Sequence, residues 1–100
     1  MVYLVRTTRY LKFDESIEEK TAKLVEHLNN NYPQIKDMKF LWNVTGPINE
    51  VHWMMQFDSL GDEDEFATKV IQDEVYRDWF KASEGIVTPG FDRLYRDAPM

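Results

Sequence analysis

The chain has 100 residues, with 18 acidic and 12 basic side chains, a net charge of −6 and no cysteine. That length suits one domain with a modest core, spanning residues 1–100. The negative balance repels a nucleic-acid backbone, and the missing thiols remove disulfides and thiolate-ligated metals. With 43% hydrophobic and 30% charged residues, no apolar run long enough for a bilayer and no signal-peptide pattern, the expectation is a small, soluble, cytoplasmic protein. Neither a nucleic-acid partner nor a membrane partner is expected, and no cofactor is implied.

The opening segment Val2–Leu11 is rich in β-branched and aromatic residues and predicts a strand. Its alternation puts Val2, Leu4, Arg6, Thr8 and Tyr10 on one face. Asp14 or Ser16 can cap a following helix, with Ser16 and Glu19 spaced as a capping box. Ile17, Thr21, Leu24, Val25 and Leu28 then recur at helical spacing as one buried stripe. Asn29-Asn30-Asn31 and Pro33 end it.

From Met38 to Asp58 the period changes to two, with Gly46-Pro47-Ile48-Asn49 as the turn of a hairpin. A loop of those four residues sets Trp42 opposite Trp53, Phe40 opposite Met55 and Met38 opposite Phe57. The reverse side then carries Asn43 with His52, Leu41 with Met54 and Lys39 with Gln56. A second helix is expected near Asp62, with Glu65 as its capping-box partner and Phe66, Val70, Ile71 and Val75 as its stripe. Tyr76–Phe80 continues it or adds a short helix, and Phe91–Arg96 predicts a last strand.

Strand, helix, strand, strand, helix, strand is the order of the ferredoxin-like βαββαβ fold, an α+β class with a four-stranded antiparallel sheet. Two helices cover only one face of such a sheet, yet both faces of this hairpin carry apolar residues. A second apolar face is usually hidden against another copy, which predicts a homodimer.

The stretch Gly46-Pro47-Ile48-Asn49-Glu50-Val51, continuing to Phe57-Asp58-Ser59-Leu60, resembles the NIPSNAP-like family, which commonly reads G-x-[LI]-N-[EQ] and then [YF]-x-S-L. Tyr3 with Arg6-Thr7, and Asp73 with Tyr76 and Trp79, are similar to its opening strand and its D-P-x-W-x-x-F segment. The resemblance implies a dimeric α+β barrel, in which two sheets pack across a dimer axis around a cavity. It also implies that Phe57, before the Asp that closes the third strand, looks into the barrel with Met55 and Trp53. Hairpin pairing adds Phe40 and Trp42. Relatives in the wider group include cofactor-independent monooxygenases, and a shared fold does not carry a reaction with it.

The candidate ligand-binding residues are therefore Arg6, Thr8, Tyr10, Phe40, Trp42, Trp53, Met55 and Phe57. Arg6 is a lone charge on an apolar strand face. It needs either a salt bridge, with Glu50 or Asp92 as the candidates, or the anionic end of a ligand. His52 is expected as a structural histidine at a helix–sheet contact, and His27 as a solvated one. The two have no metal-ligand spacing, so no metal site is assigned. No catalytic residue can be named. Three functions stay open: a binding barrel for a small apolar, aromatic or acidic ligand, a cofactor-independent monooxygenase or isomerase, and a homodimeric interaction module with a filled core.

Overall fold

The computed structural model describes residues 1–99. Its elements are β1 (Val2–Arg9), α1 (Glu15–Asn31), β2 (Asp37–Trp42), β3 (Glu50–Phe57), α2 (Leu60–Val70), α3 (Glu74–Ala82) and β4 (Phe91–Arg96). The strands form one antiparallel sheet in the order β2-β3-β1-β4. This is the expected ferredoxin-like α+β fold, with the second helix divided in two.

That division has a local cause. Ser59 caps α2 by accepting from the amide of Asp62, so α2 begins earlier than the Asp62–Glu65 spacing suggests. Asp73 then caps α3 by accepting from the amides of Val75 and Tyr76. The stripe changes accordingly: Phe66 and Val70 are buried, whereas Ile71 and Val75 are exposed. Asp14 caps α1, and Ile17, Thr21, Leu24 and Leu28 are its buried stripe.

The hairpin closes two residues away from the expected register. Phe40 faces Trp53, Met38 faces Met55 and Trp42 faces Val51, so Trp42 and Trp53 are not opposite one another. The loop is wider than four residues because Asn43 reaches across it, donating to the Pro47 carbonyl at 2.9 Å and to Glu50. Gly46, at φ +90°, turns the chain. A shift of two residues leaves every side chain on its own face, so both sets of alternating residues are retained.

All three helices cover the face that carries Leu4, Trp53, Met55 and Phe57, which form the core with Leu24, Leu28, Phe66 and Trp79. This corrects two expectations. Trp53 and Phe57 lie beneath the chain's own helices with Phe40 packed against them, not on the face left free for a second sheet, while Trp42 at the edge of the same face is exposed. His52 lies on the open face, not at a helix–sheet contact. The covered face carries Leu4, Trp53, Met55 and Phe57, whereas the open face interleaves apolar residues with Thr7, Arg9, Glu50 and His52, so the helix stripes bury more apolar surface on the former. Gly90, at φ +77°, lets β4 close onto β1, since a Cβ there would sit 2.2 Å from the Thr7 carbonyl oxygen.

Candidate functional site

Arg6 stands at the centre of the covered face, on the inner strand β1. Its Nε and Nη2 donate to the two carboxylate oxygens of Asp92 at 2.7 and 3.0 Å, across the β1–β4 pair. Its Nη1 donates to the Tyr76 hydroxyl at 2.8 Å. The Asp92 bonds raise the Arg6 pKa further, outweighing the opposite effect of burial, so the guanidinium is a fixed cation. Of the two partners suggested by sequence, Asp92 is the one found. Glu50 instead pairs with Arg9 at 3.5 Å on the open face.

Two spaces flank this cluster. A cavity of about 110 Å³ lies between sheet and helices, with Leu4, Trp53 and Met55 below and Phe66, Val70 and Trp79 above. Arg6, Tyr76, Asp92 and Glu63 form its polar side. Burial, with Asp64 and Asp92 nearby, raises the Glu63 pKa. A second space of about 430 Å³ lies between Thr8 and the Phe80–Pro89 segment, sharing Arg6 and Trp79 as a common wall.

The sequence-derived candidates are thus divided among several places. Arg6, Trp53 and Met55 line the inner cavity, and Thr8 joins Arg6 at the outer cleft. Tyr10, Phe40 and Trp42 line a separate groove of about 370 Å³ against α1. Trp42, 51% exposed, meets Tyr10 edge-on at 5.7 Å there. Phe57 is fully buried against Phe66, at 5.5 Å between ring centroids, and lines none of these spaces.

Tyr76, Trp79 and Glu63 were not among the sequence-derived candidates. Tyr76 and Trp79 are three residues apart on α3, so both face the sheet once Asp73 fixes where α3 starts. Trp79 donates its indole N–H to Thr21 on α1 at 2.8 Å. Asp73 is held in turn by α1, accepting from the Tyr32 hydroxyl and lying 2.8 Å from His27 Nε2. Burial pushes the Asp73 carboxyl up, but the bonds from Tyr32, His27 and the Tyr76 amide outweigh it and bring it down to about 2. Burial and Asp73 together push Tyr32 up to about 12. His27 is therefore a half-buried bonded group, not the solvated one expected. Its Nδ1 faces the Asn31 amide at 3.2 Å, so neither ring nitrogen is free. Among the described residues, no three His, Asp or Glu side chains form a group that could hold a metal ion. No helix among them is long and apolar enough to cross a membrane.

No protein-family model matches the chain, and neither does any curated protein. Solved structures do resemble it. A NIPSNAP family protein of unknown function from Agrobacterium tumefaciens is 20% identical, with a TM-score of 0.69 over 98% of this chain and 88% of that one. The cofactor-independent oxygenase SnoaB of Streptomyces nogalater is 10% identical, with a TM-score of 0.74 over 99% and 94%. A NIPSNAP domain protein from Burkholderia xenovorans is 12% identical, with a TM-score of 0.70 over 98% and 95%. The NIPSNAP-like fold expected from sequence is therefore found among the structures this chain resembles, and at these identities the likeness establishes fold alone.

Proposed function

We propose that this chain is a homodimeric α+β-barrel protein that binds a small apolar or aromatic molecule beside Arg6. The observation that carries this reading is the unfilled apolar cavity between Trp53, Met55 and Trp79, which adjoins a cleft of about 430 Å³ across the same arginine. The cleft falls within the usual range for small-molecule sites, roughly 300–1,000 Å³. The remaining gap in an otherwise packed layer also speaks against a merely filled core. Arg6 is a fixed cation and neither histidine lines the cavity or the cleft, so Glu63, whose carboxyl burial pushes up, is the group on which a second, catalytic reading would have to rest.

Dimerisation is supported by the open sheet face, where Leu41, Phe91 and Tyr95 are exposed and Tyr3, Val5 and Met54 are half-buried. Such a face is covered most economically by its own copy. Light scattering at low-micromolar protein should give about twice 12.0 kDa, and a clean 12.0 kDa species would refute the dimer. For the ligand, mass spectrometry of small molecules released from natively purified protein should find an aromatic or aliphatic compound. If the protein is empty and no compound in an aromatic fragment panel shifts its melting temperature, the binding reading fails.

A further inference from the structure

The stripe of α2 that faces the sheet is Glu63, Phe66, Ala67 and Val70, and all four residues line the inner cavity. An acid thus stands first in an otherwise apolar row. The acids around it are otherwise placed. Asp62 and Asp64 do not line the cavity, and Glu65 is held by Lys69 at 2.8 Å. Asp92 reaches the cavity, but both its oxygens accept from Arg6, at 2.7 and 3.0 Å. Among the described residues, no side chain holds the Glu63 carboxyl. Its oxygens are not among the buried atoms that lack a partner, so they are open to whatever enters.

Tyr76 supplies the complementary group. Its hydroxyl oxygen accepts from Arg6 Nη1 at 2.8 Å, so its own hydrogen points away from the guanidinium. Among the described residues that hydrogen has no acceptor, and Tyr76 lines the same cavity. The space therefore combines apolar walls, a carboxyl able to take a proton and an O–H able to donate, with the charge of Arg6 behind it. An enolate needs this pair: a base for the carbon-bound proton and a donor for the oxygen on which charge develops. Burial, with Asp64 and Asp92 nearby, makes Glu63 a stronger base than a solvated carboxylate. A cavity of about 150 Å³ accepts a benzene ring, so one of about 110 Å³ suits a five-membered ring, with any tail in the adjoining cleft.

Resting on the binding site proposed above, we propose that the cavity moves a proton within a small neutral β,γ-unsaturated ketone: Glu63 takes the α-proton, and the Tyr76 hydroxyl holds the carbonyl oxygen. As the α C–H bond breaks, its electron pair joins the α and carbonyl carbons and the carbonyl π pair moves onto oxygen. The carbonyl then re-forms, the double bond shifts to the α,β position, and the γ carbon takes the proton back from Glu63. The two transfers cancel, so the conjugated ketone forms with no oxidant or other reactant.

The test uses the full chain, with cyclopent-3-enone as substrate and cyclopentanone as binding probe. Formation of cyclopent-2-enone, read by ultraviolet absorbance, should run at least about 100-fold faster with protein than with acetate at equal concentration. Glu63→Gln should lose about 100-fold in kcat with KM within about twofold, and Tyr76→Phe should lose about as much. The rate should fall as pH drops through the Glu63 pKa, above the usual carboxylate range. If Glu63→Gln does not melt cooperatively, Glu63→Asp decides: it keeps the charge but withdraws the carboxyl, and an unaltered rate overturns the proposal. Equal rates for the unaltered protein and Glu63→Gln, with cyclopentanone bound by both, overturn this proposal and leave the binding site standing. So does binding of aromatic fragments without cyclopentanone. If neither cyclopentanone nor any aromatic fragment binds at millimolar concentration, both readings fall.

Discussion

The two faces of the sheet are built from alternate residues of the same strands, yet they differ in how fully their polar groups are paired: the covered face pairs Arg6 with Asp92 and Tyr76 but leaves two others without a partner. On the open face, Thr7, His52 and Asn43 form a closed chain. Asn43 donates its amide N–H to Pro47 and Glu50, so its oxygen, 2.6 Å from His52 Nε2, must accept. His52 Nδ1 then accepts from the Thr7 hydroxyl at 2.9 Å. On the covered face, where a missing bond costs more, Trp53 and Thr8 have none. Stability alone favours the reverse arrangement. The face that stores unsatisfied groups is where function is to be sought, and the self-satisfied face is suited to meeting water or a second copy without loss.

Removing packing from the covered face should have the largest effect. Phe57→Ala takes a fully buried ring from its seat against Phe66 and should cost about 3–5 kcal/mol, read from urea denaturation. A loss below about 1 kcal/mol would mean that this layer is not tightly packed.

Asp73 ties α1 to the start of α3 and so holds Tyr76 and Trp79 over the cavity. Its carboxyl is held at about 2, below the ordinary 3.8, so its contribution to stability is present above about pH 4 and lost as pH falls towards 2. Asp73→Asn should cost about 2 kcal/mol at neutral pH and flatten the stability profile between about pH 4 and 2. A profile unchanged from that of the unaltered protein would show that Asp73 is not the group responsible.

Arg6→Met comes next. It leaves Asp92 unpaired, but the two side chains are 30% and 41% exposed, and solvent screens the pair. The expected loss is about 1 kcal/mol, with affinity for a neutral probe kept within about twofold. A large fall in affinity would instead make Arg6 a ligand anchor. His52→Ala on the open face should change the melt least, by under about 1 kcal/mol, because it removes one half-buried side chain with two hydrogen bonds and no packed core volume.

The strands, the first helix and the division of side chains between faces were legible in the sequence, because period two and helical spacing follow directly from backbone geometry. The hairpin register was not, since it depended on Asn43 bridging a wide loop, a side-chain choice that periodicity does not encode. Which face the helices would cover was also hidden. Both faces of the hairpin are partly apolar, and only the competition for the helix stripes decides. Arg6 stood out as a lone charge, and Asp92 was a candidate partner on the neighbouring strand. Tyr76 and Trp79 entered the site only because Asp73 restarts the helix. The stranded Trp53 and Thr8 groups were invisible, as an absent partner leaves no trace in composition.

The division between the faces is tested most directly by two adjacent methionines. Met54 lies on the open face, and Met55 is buried among the core residues. Met54→Glu should melt cooperatively while its mass by light scattering falls from about twice 12.0 kDa to 12.0 kDa. Met55→Glu should fail to fold, because a carboxylate would enter the core without a partner. A Met54→Glu protein that stays dimeric, or a Met55→Glu protein that folds as a stable monomer, would contradict the assignment of the two faces.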